Sequence, residues 1–360
     1  MVRYRYRPLI ETSKESQVSN PLPPSAARLP TVKEVALLAS VSPMTVSRTL
    51  AGGKSVRPEV QKRVFDAVAA LGYQRNENAR SIRPGQPSGL IGVVITNIGN
   101  PYYGSFAVGV EDVVSEHGCR MILGTTGEDP RRERQLVADL IGRQIDGLIL
   151  VPSGGAVDHL LPHRLRNIPL VLASRMADGI SSDAVLVDDV GGSIRATRSL
   201  LQAGHRRIGY LGNSASTFTG RRRFEGFVAA FAEFQLDVDP DLVKLGQQDA
   251  DSAEAAATDI LETGRPTAIF CANNRNAVGA LRAVARLIGA GATADELPAI
   301  VSFDTFELSE LMPVAVTVID HDARQLGREA AKMLFDRLDG TFQGQPRILE
   351  MPTSIREPRK

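Results

Sequence analysis

The 360-residue sequence predicts an N-terminal all-α helix-turn-helix domain followed by a larger α/β body built on parallel sheets. Three observations predict it. Between Thr31 and Leu71 apolar residues recur at helical spacing, with Ser40-Val41-Ser42 as a tight break between the first two groups. From Leu90 onward short apolar runs alternate with amphipathic segments, which gives parallel sheets covered on both faces. Charge is divided as well: residues 31–84 hold nine Lys or Arg against four Asp or Glu, a net +5. Residues 1–30 add +3, and with +1 for the whole chain the remaining 276 residues carry −7. A basic front on an acidic body is the electrostatic footprint of a polyanion binder.

In the head, Val32, Val35, Ala36 and Ala39 define the first helix, with Thr31 as its cap and Glu34 completing a capping box. Ser42-Pro43 opens the second, because serine caps and proline is tolerated at the first helical position. With Val46 and Leu50 turned inward, Pro43, Met44, Ser47 and Arg48 face outward. A helix start carrying a guanidinium, a hydroxyl and a thioether suits a major groove, where arginine forks onto guanine O6 and N7. A third helix, Arg57 to Leu71, is expected to turn Val60, Val64, Phe65, Val68 and Leu71 onto this core.

The words T31-V-K-E-V-A36, V41-S-P-M-T-V-S-R48, L71-G-Y73 and N78-A-R-S-I-R83 resemble the DNA-binding headpiece of the LacI/GalR family of bacterial transcription regulators. The likeness continues through I91-G-V-V, N100-P-Y-Y103, D146-G-L-I-L, G204-H-R-R-I208, G226-F, C271-A-N-N and F303-D304, so it covers nearly everything after residue 30. It implies a homodimer on a pseudo-palindromic double-stranded operator, with Thr31, Ser42, Pro43, Met44, Thr45, Ser47, Arg48 and Ser55 as head contacts. Asn78 to Arg83, ended by Pro84-Gly85, is too short to be a stable helix alone. The resemblance makes it a hinge helix in the minor groove, with Asn78 and Ala79 as contacts and Ile82 as the apolar wedge.

For the body the resemblance implies a periplasmic-binding-protein-like pair of α/β subdomains with a cleft between them. The expected divisions are a disordered leader at 1–30, the head at 31–76, the hinge and linker at 77–87 and the body at 88–360. Subdomain 1 would hold 88–187 and 317–345, and subdomain 2 would hold 188–316 and 346–360. In this reading the strand near Val316 to Ile319 leads back to the first unit with helix Asp322 to Asp339. The strand near Ile348 to Met351 returns to the second, giving three crossovers.

Ligands of open α/β sheets sit beyond the carboxyl ends of the strands. Thr96 and Tyr102, Ser174 and Arg175, Thr219 and Arg223, Asn273 and Asn274, and Asp304 all fall at such ends or at the helix starts beyond them. By the resemblance Arg223, Asn273 and Asp304 match positions that contact small-molecule effectors, Tyr102 matches a wall residue, and Gln248 stands where some members place an aromatic ring. The expected effector set is therefore Thr96, Tyr102, Arg175, Thr219, Arg223, Gln248, Asn273 and Asp304, with helix capping as the alternative role for each. Departures point one way: Asn274, Thr305 and Ser174 stand where acids are common, which favours an uncharged sugar, polyol or cyclitol over a nucleobase.

Other classes are disfavoured. The sequence holds no P-loop, G-x-S-x-G, HExxH or cysteine cluster, so neither an enzyme nor a cofactor is expected. His159 and His163 fall four apart on an expected helix, Val157 to Arg166, and are read as surface residues for want of a third ligand. Cys119 and Cys271 suit a reduced interior, and the longest apolar run, near Leu90 to Ile95, is far short of a membrane span. A cytoplasmic, nucleoid-associated repressor with no membrane partner is the expectation. An exported sugar-binding protein, the second rival, would ordinarily carry a signal and no basic head. In the leader, Arg3, Arg5 and Arg7 add at most non-specific phosphate attraction, and an inert leader is the simpler reading.

Overall fold

The computed structural model describes residues 30–50, 56–73, 87–306 and 314–357. The leader expected at 1–30 (save Pro30), Ser55, and the hinge with Asn78, Ala79 and Ile82 lie outside the described residues. Head and body are separate compact units.

In the head, α1 (Val32–Leu38), α2 (Pro43–Leu50) and α3 (Pro58–Leu71) enclose Val35, Ala36, Ala39, Val46, Val64, Ala67 and Tyr73. The capping box forms: Thr31 N–H donates to Glu34 Oε2 at 2.6 Å, and Glu34 N–H donates to Thr31 Oγ1 at 3.4 Å. Ser42 Oγ accepts the Thr45 N–H at 3.1 Å at the start of α2. Gly72, left-handed at φ 60°, ends α3, and Tyr73 N–H donates to Val68 O at 3.0 Å, which turns Tyr73 into the core. Phe65 corrects the sequence reading: it is 52% exposed. Val64 and Ala67 set the buried stripe of α3, and a residue one step from Val64 lies about 100° round the helix. Ala67 and Tyr73 fill the place expected for it.

The body consists of two lobes. The first sheet has the order β11-β5-β4-β3-β1-β2: β1 (Leu90–Ile95), β2 (Arg120–Thr125), β3 (Gly147–Leu150), β4 (Leu170–Ala173), β5 (Asp183–Val187) and β11 (Ile348–Met351). The second has the order β12-β10-β9-β8-β6-β7: β6 (Ile208–Gly212), β7 (Val243–Leu245), β8 (Ala268–Cys271), β9 (Ala299–Phe303), β10 (Val316–Asp320) and β12 (Ser354–Arg356). All pairings are parallel except β10 with β12. Helices α4 (Pro101–Glu116), α5 (Pro130–Gly142) and α10 (Ala323–Leu338) serve the first lobe. Helices α6 (Asp189–Gln202), α7 (Phe218–Glu233), α8 (Ala250–Thr263) and α9 (Asn274–Gly289) serve the second.

Three expectations are corrected. The strand at Val316 does not leave the second lobe; its apolar residues pair with β9, Val316 beside Ile300, and the chain crosses only afterwards, where Asp322 caps α10. The strand Ile348–Met351 pairs with β5 and closes the first sheet, so residues 348–351 belong to lobe one and only Ser354–Arg356 returns. Among the described residues the chain still passes between the lobes three times, after β5, β10 and β11. The helix expected over Val157 to Arg166 is only a 3₁₀ turn, Asp158–Leu160; Pro162 supplies no N–H in what would be its middle.

In each lobe a helix pair meets backbone to backbone at glycine. A Cβ on Gly109 of α4 would lie 1.9 Å from Arg324 O of α10, and one on Gly327 of α10 would lie 2.2 Å from Phe106 O. Gly226 of α7 faces Val190 O of α6 at 2.4 Å in the same sense. Gly109→Ala should therefore destabilise the body by about 1–3 kcal/mol in urea unfolding. Gly104→Ala on the same helix, where a Cβ meets nothing within 4 Å, should be neutral or stabilising. Equal stability of the two variants would contradict this packing.

Candidate functional site

The carboxyl ends of both sheets face one another across a polar cavity of about 240 Å³. In each sheet the strand order reverses at the first strand, β1 and β6, and the cavity lies at those reversal points. Thr96 and Asn97 follow β1, Glu128 lies beyond β2, and Ser174 with Arg175 follow β4. From the other lobe come Asn213 after β6, Gln248 beyond β7, Asn273 after β8, Asp304 after β9, and Thr219 and Arg223 of α7. All eight residues of the expected effector set line this one cavity.

Ser174 and Asp304 hold left-handed backbone at φ 60° and 66°, which costs a residue with a Cβ energy unless neighbours fix it. Each is fixed alike: Ser174 N–H donates to Val185 O at 2.8 Å and Asp304 N–H to Ile319 O at 3.0 Å. The equivalent kinks turn both side chains into the cleft.

Both buried arginines are internally neutralised. Arg223 Nε donates to Asp189 Oδ1 at 2.7 Å, and its Nη1 donates to Ala272 O at 2.6 Å and Asp304 Oδ2 at 3.2 Å. Its guanidinium carbon lies 3.7 Å from the centre of the Phe303 ring. Burial acts to lower the Arg223 pKa, but the Asp304 and Asp189 carboxylates outweigh it and keep the cation charged. Burial pushes Asp189 up to about 6, against the pull of Arg223, so the carboxylate stays ionised at neutral pH. Arg175 is gripped bidentately by Glu128, at 2.6 and 2.8 Å, and donates to Pro152 O at 3.0 Å. Tyr102 OH lies 3.0 Å from Ser174 Oγ; burial, then the Asp304 charge, raises its pKa so that it stays a neutral phenol.

Sequence reasoning named Asn274 as a strand-end candidate but missed its partner and several other participants. Asn100, the cap of α4, and Asn274, the first residue of α9, exchange two hydrogen bonds of 3.1 and 2.8 Å across the lobes. Asp189, Glu128 and His321 gave no signal, since their partners are distant in sequence. His159 is corrected: it is buried, with Nε2 2.9 Å from Glu133 Oε1, while Glu133 Oε2 accepts the Ser153 N–H at 2.6 Å. That pair props the loop whose Pro152 carbonyl holds Arg175. His163 is exposed, as expected.

On the head, Ser42, Pro43, Met44, Ser47 and Arg48 are exposed along α2, with Met44 at 69%, while Thr31 and Thr45 are half-buried. Among the described residues no helix is long and apolar enough to cross a membrane.

A helix-turn-helix head carrying net positive charge, joined to a two-lobed body around a polar cavity, defines a ligand-responsive DNA-binding protein. Residues 31–76 match the model for bacterial regulatory proteins of the lacI family, and residues 88–357 match that for periplasmic binding proteins and the sugar binding domain of the LacI family. The chain belongs to the LacI family: it is a DNA-binding transcription regulator, not an enzyme. The ribose operon repressor of Haemophilus influenzae is 27% identical over 326 residues, spanning 90% of this chain and 97% of that one. The transcriptional regulator CelR in its cellobiose complex is 28% identical, with TM-score 0.65 over 91% of this chain and 98% of that one. The lac repressor dimer bound to operator, 22% identical over 92% of this chain and 98% of that one, shares the fold at TM-score 0.76.

Asp189→Ala leaves the buried Arg223 Nε without its acceptor and should cost about 3–5 kcal/mol in denaturant unfolding. A loss below 1 kcal/mol would mean that Arg223 does not depend on it.

Proposed function

We propose that the body binds a neutral, hydroxyl-rich small molecule and that this binding sets the affinity of the head for its operator. The observation that carries the ligand class is charge balance with hydrogen-bonding capacity to spare. The lining holds Arg175, Arg223 and Arg275 against Glu128, Asp249 and Asp304, with Asp189 behind Arg223, so no excess positive charge calls for an anionic ligand. Thr96, Asn97, Asn213, Thr219, Gln248 and Asn273 line the cavity with hydroxyl and amide groups, and Tyr102 supplies an aromatic wall. A sugar, polyol or cyclitol presents paired hydroxyls and an apolar face to match. The sugars in the names of the ribose repressor and the CelR complex support the same class.

The chain acts as a cytoplasmic repressor, a reading the repressor names among its relatives support. Two copies bind a pseudo-palindrome, since helix-turn-helix dimers read two half-sites about one helical turn apart. Met44 and Arg48 enter the major groove, with Thr31, Ser42, Pro43, Thr45, Ser47 and Ser55 around them on groove edge and backbone. Asn78, Ala79 and Ile82 act in the minor groove between the half-sites. Closure of the lobes changes the spacing of the two hinge segments, and a ligand achieves this only through unequal affinity for the open and closed states.

A thermal-shift screen of sugars, polyols, cyclitols, nucleobases and phosphosugars tests the ligand class, because binding raises apparent stability by mass action. Stabilisation by a neutral polyhydroxy compound is expected, and a response confined to nucleobases or phosphates would refute it. Arg48→Ala should weaken operator binding by about 1–3 kcal/mol and relax base preference at one position per half-site; unchanged discrimination among operator variants removes Arg48 from readout. Asp304→Ala should abolish the effector's influence on operator affinity while leaving operator binding itself intact, and a normal effector response in that variant removes Asp304 from the site.

A further inference from the structure

His321 comes from the crossover between β10 and α10 and is buried beneath the cavity wall, with its side chain 1% exposed. Its Nε2 lies 3.4 Å from Tyr102 OH, and its Nδ1 lies 3.6 Å from Asp304 Oδ1. The ring meets Tyr102 edge-on, with centroids 5.5 Å apart. Among the described residues Nδ1 and Asp304 Oδ1 have no hydrogen-bond partner, although both atoms are buried. The charged and titratable groups around the imidazole are Asp304 beyond β9, Arg223 of α7, Tyr102 of α4, and Asp320 and Asp322 of its own segment.

A neutral imidazole has one donor and one acceptor nitrogen, and its neighbours decide which is which. A bare Nδ1 lone pair facing the Asp304 carboxylate is repulsive, so the proton belongs on Nδ1, directed at Oδ1. Nε2 must then accept, and its hydrogen-bond partner among the described residues is the Tyr102 hydroxyl, which donates to it. The Tyr102 oxygen in turn accepts from Ser174 Oγ–H at 3.0 Å. The result is a one-way chain from Ser174 and Tyr102 of the first lobe, through a crossover residue, to Asp304 of the second. Burial holds the His321 pKa below its ordinary value, with the Asp304 charge opposing, which keeps the ring neutral near pH 7.

We propose that His321 is a positioning residue that fixes the donor–acceptor polarity of the cavity wall. It orients the Tyr102 hydroxyl by accepting from it, and through it the Ser174 hydroxyl, while Asp304 Oδ1 faces the imidazole and Oδ2 holds Arg223. Protonation of His321 makes Nε2 a donor. Tyr102 then turns its hydrogen toward Ser174 or the cavity, and the imidazolium draws Asp304 Oδ1 to itself. The inference rests on the cavity being the effector site only for its purpose; the wall's polarity is measurable in the ligand-free protein.

Long-range ¹H–¹⁵N spectra of the full chain labelled with ¹⁵N-histidine test it, since the chain has five histidines and the tautomer is read from the two nitrogen shifts. The signal lost in His321→Gln should show a protonated Nδ1 and a bare Nε2 at pH 7. Tyr102→Phe, which removes the donor but keeps the ring, should move that Nε2 resonance and no other histidine signal. Should His321→Gln fail to fold, the signal moved by Tyr102→Phe identifies the residue. A bare Nδ1, or Nε2 shifts in every histidine indifferent to Tyr102→Phe, overturns the proposal. A ligand screen without hits would instead count against the effector reading and leave the tautomer result standing.

Discussion

The ion cluster of Asp189, Arg223 and Asp304 is the constraint on which the cavity depends. Charges buried to this degree persist only when paired, and each member is paired through a different element of the second lobe: α6 for Asp189, α7 for Arg223 and the turn after β9 for Asp304. Because the guanidinium is satisfied by protein, it presents the cavity with direction and not with net charge. The same logic governs Arg175 and Glu128 in the first lobe. Two arginines in a cleft would ordinarily suggest an anionic ligand; their partners cancel that field and leave a wall suited to hydroxyls.

Among the described residues the lobes are joined by three passages of the chain. Two of them carry buried polar side chains at their ends: Asp189 after β5 and His321 after β10. Asn100 and Asn274 meet across the gap as two neutral amides, a pair that an acid at position 274 would halve, since a carboxylate can accept but not donate. The contact across the gap is therefore made by the protein's own residues. The head carries the opposite electrostatic sign from the body, so control of its grip is exerted on a long-range attraction to phosphate.

Much of this was legible in the sequence where the signal is local. Capping residues Thr31 and Ser42 fixed helix starts, alternating apolar runs fixed strands, and strand ends fixed the cavity lining from Thr96 to Asp304. What stayed hidden is non-local. The strand at Ile348 reads the same in either sheet, because an apolar run says nothing of its neighbour. His159 pairs with Glu133 from 26 residues away, and its burial follows from a loop that Pro162 keeps from becoming a helix. Phe65 is apolar yet exposed because register, not hydrophobicity, decides which face of α3 is covered.

The central claim is that a positively charged head holds DNA and that a ligand in the acidic body governs the hold. Equilibrium binding of the full chain to duplexes from its own upstream region, measured across salt concentration with and without a stabilising sugar or polyol, tests it most directly. The account predicts log K falling linearly with log salt, with a slope set by the number of phosphates neutralised, and a ligand-dependent offset between the two lines. Binding that ignores salt, or two lines that coincide for every ligand the body takes up, would contradict it.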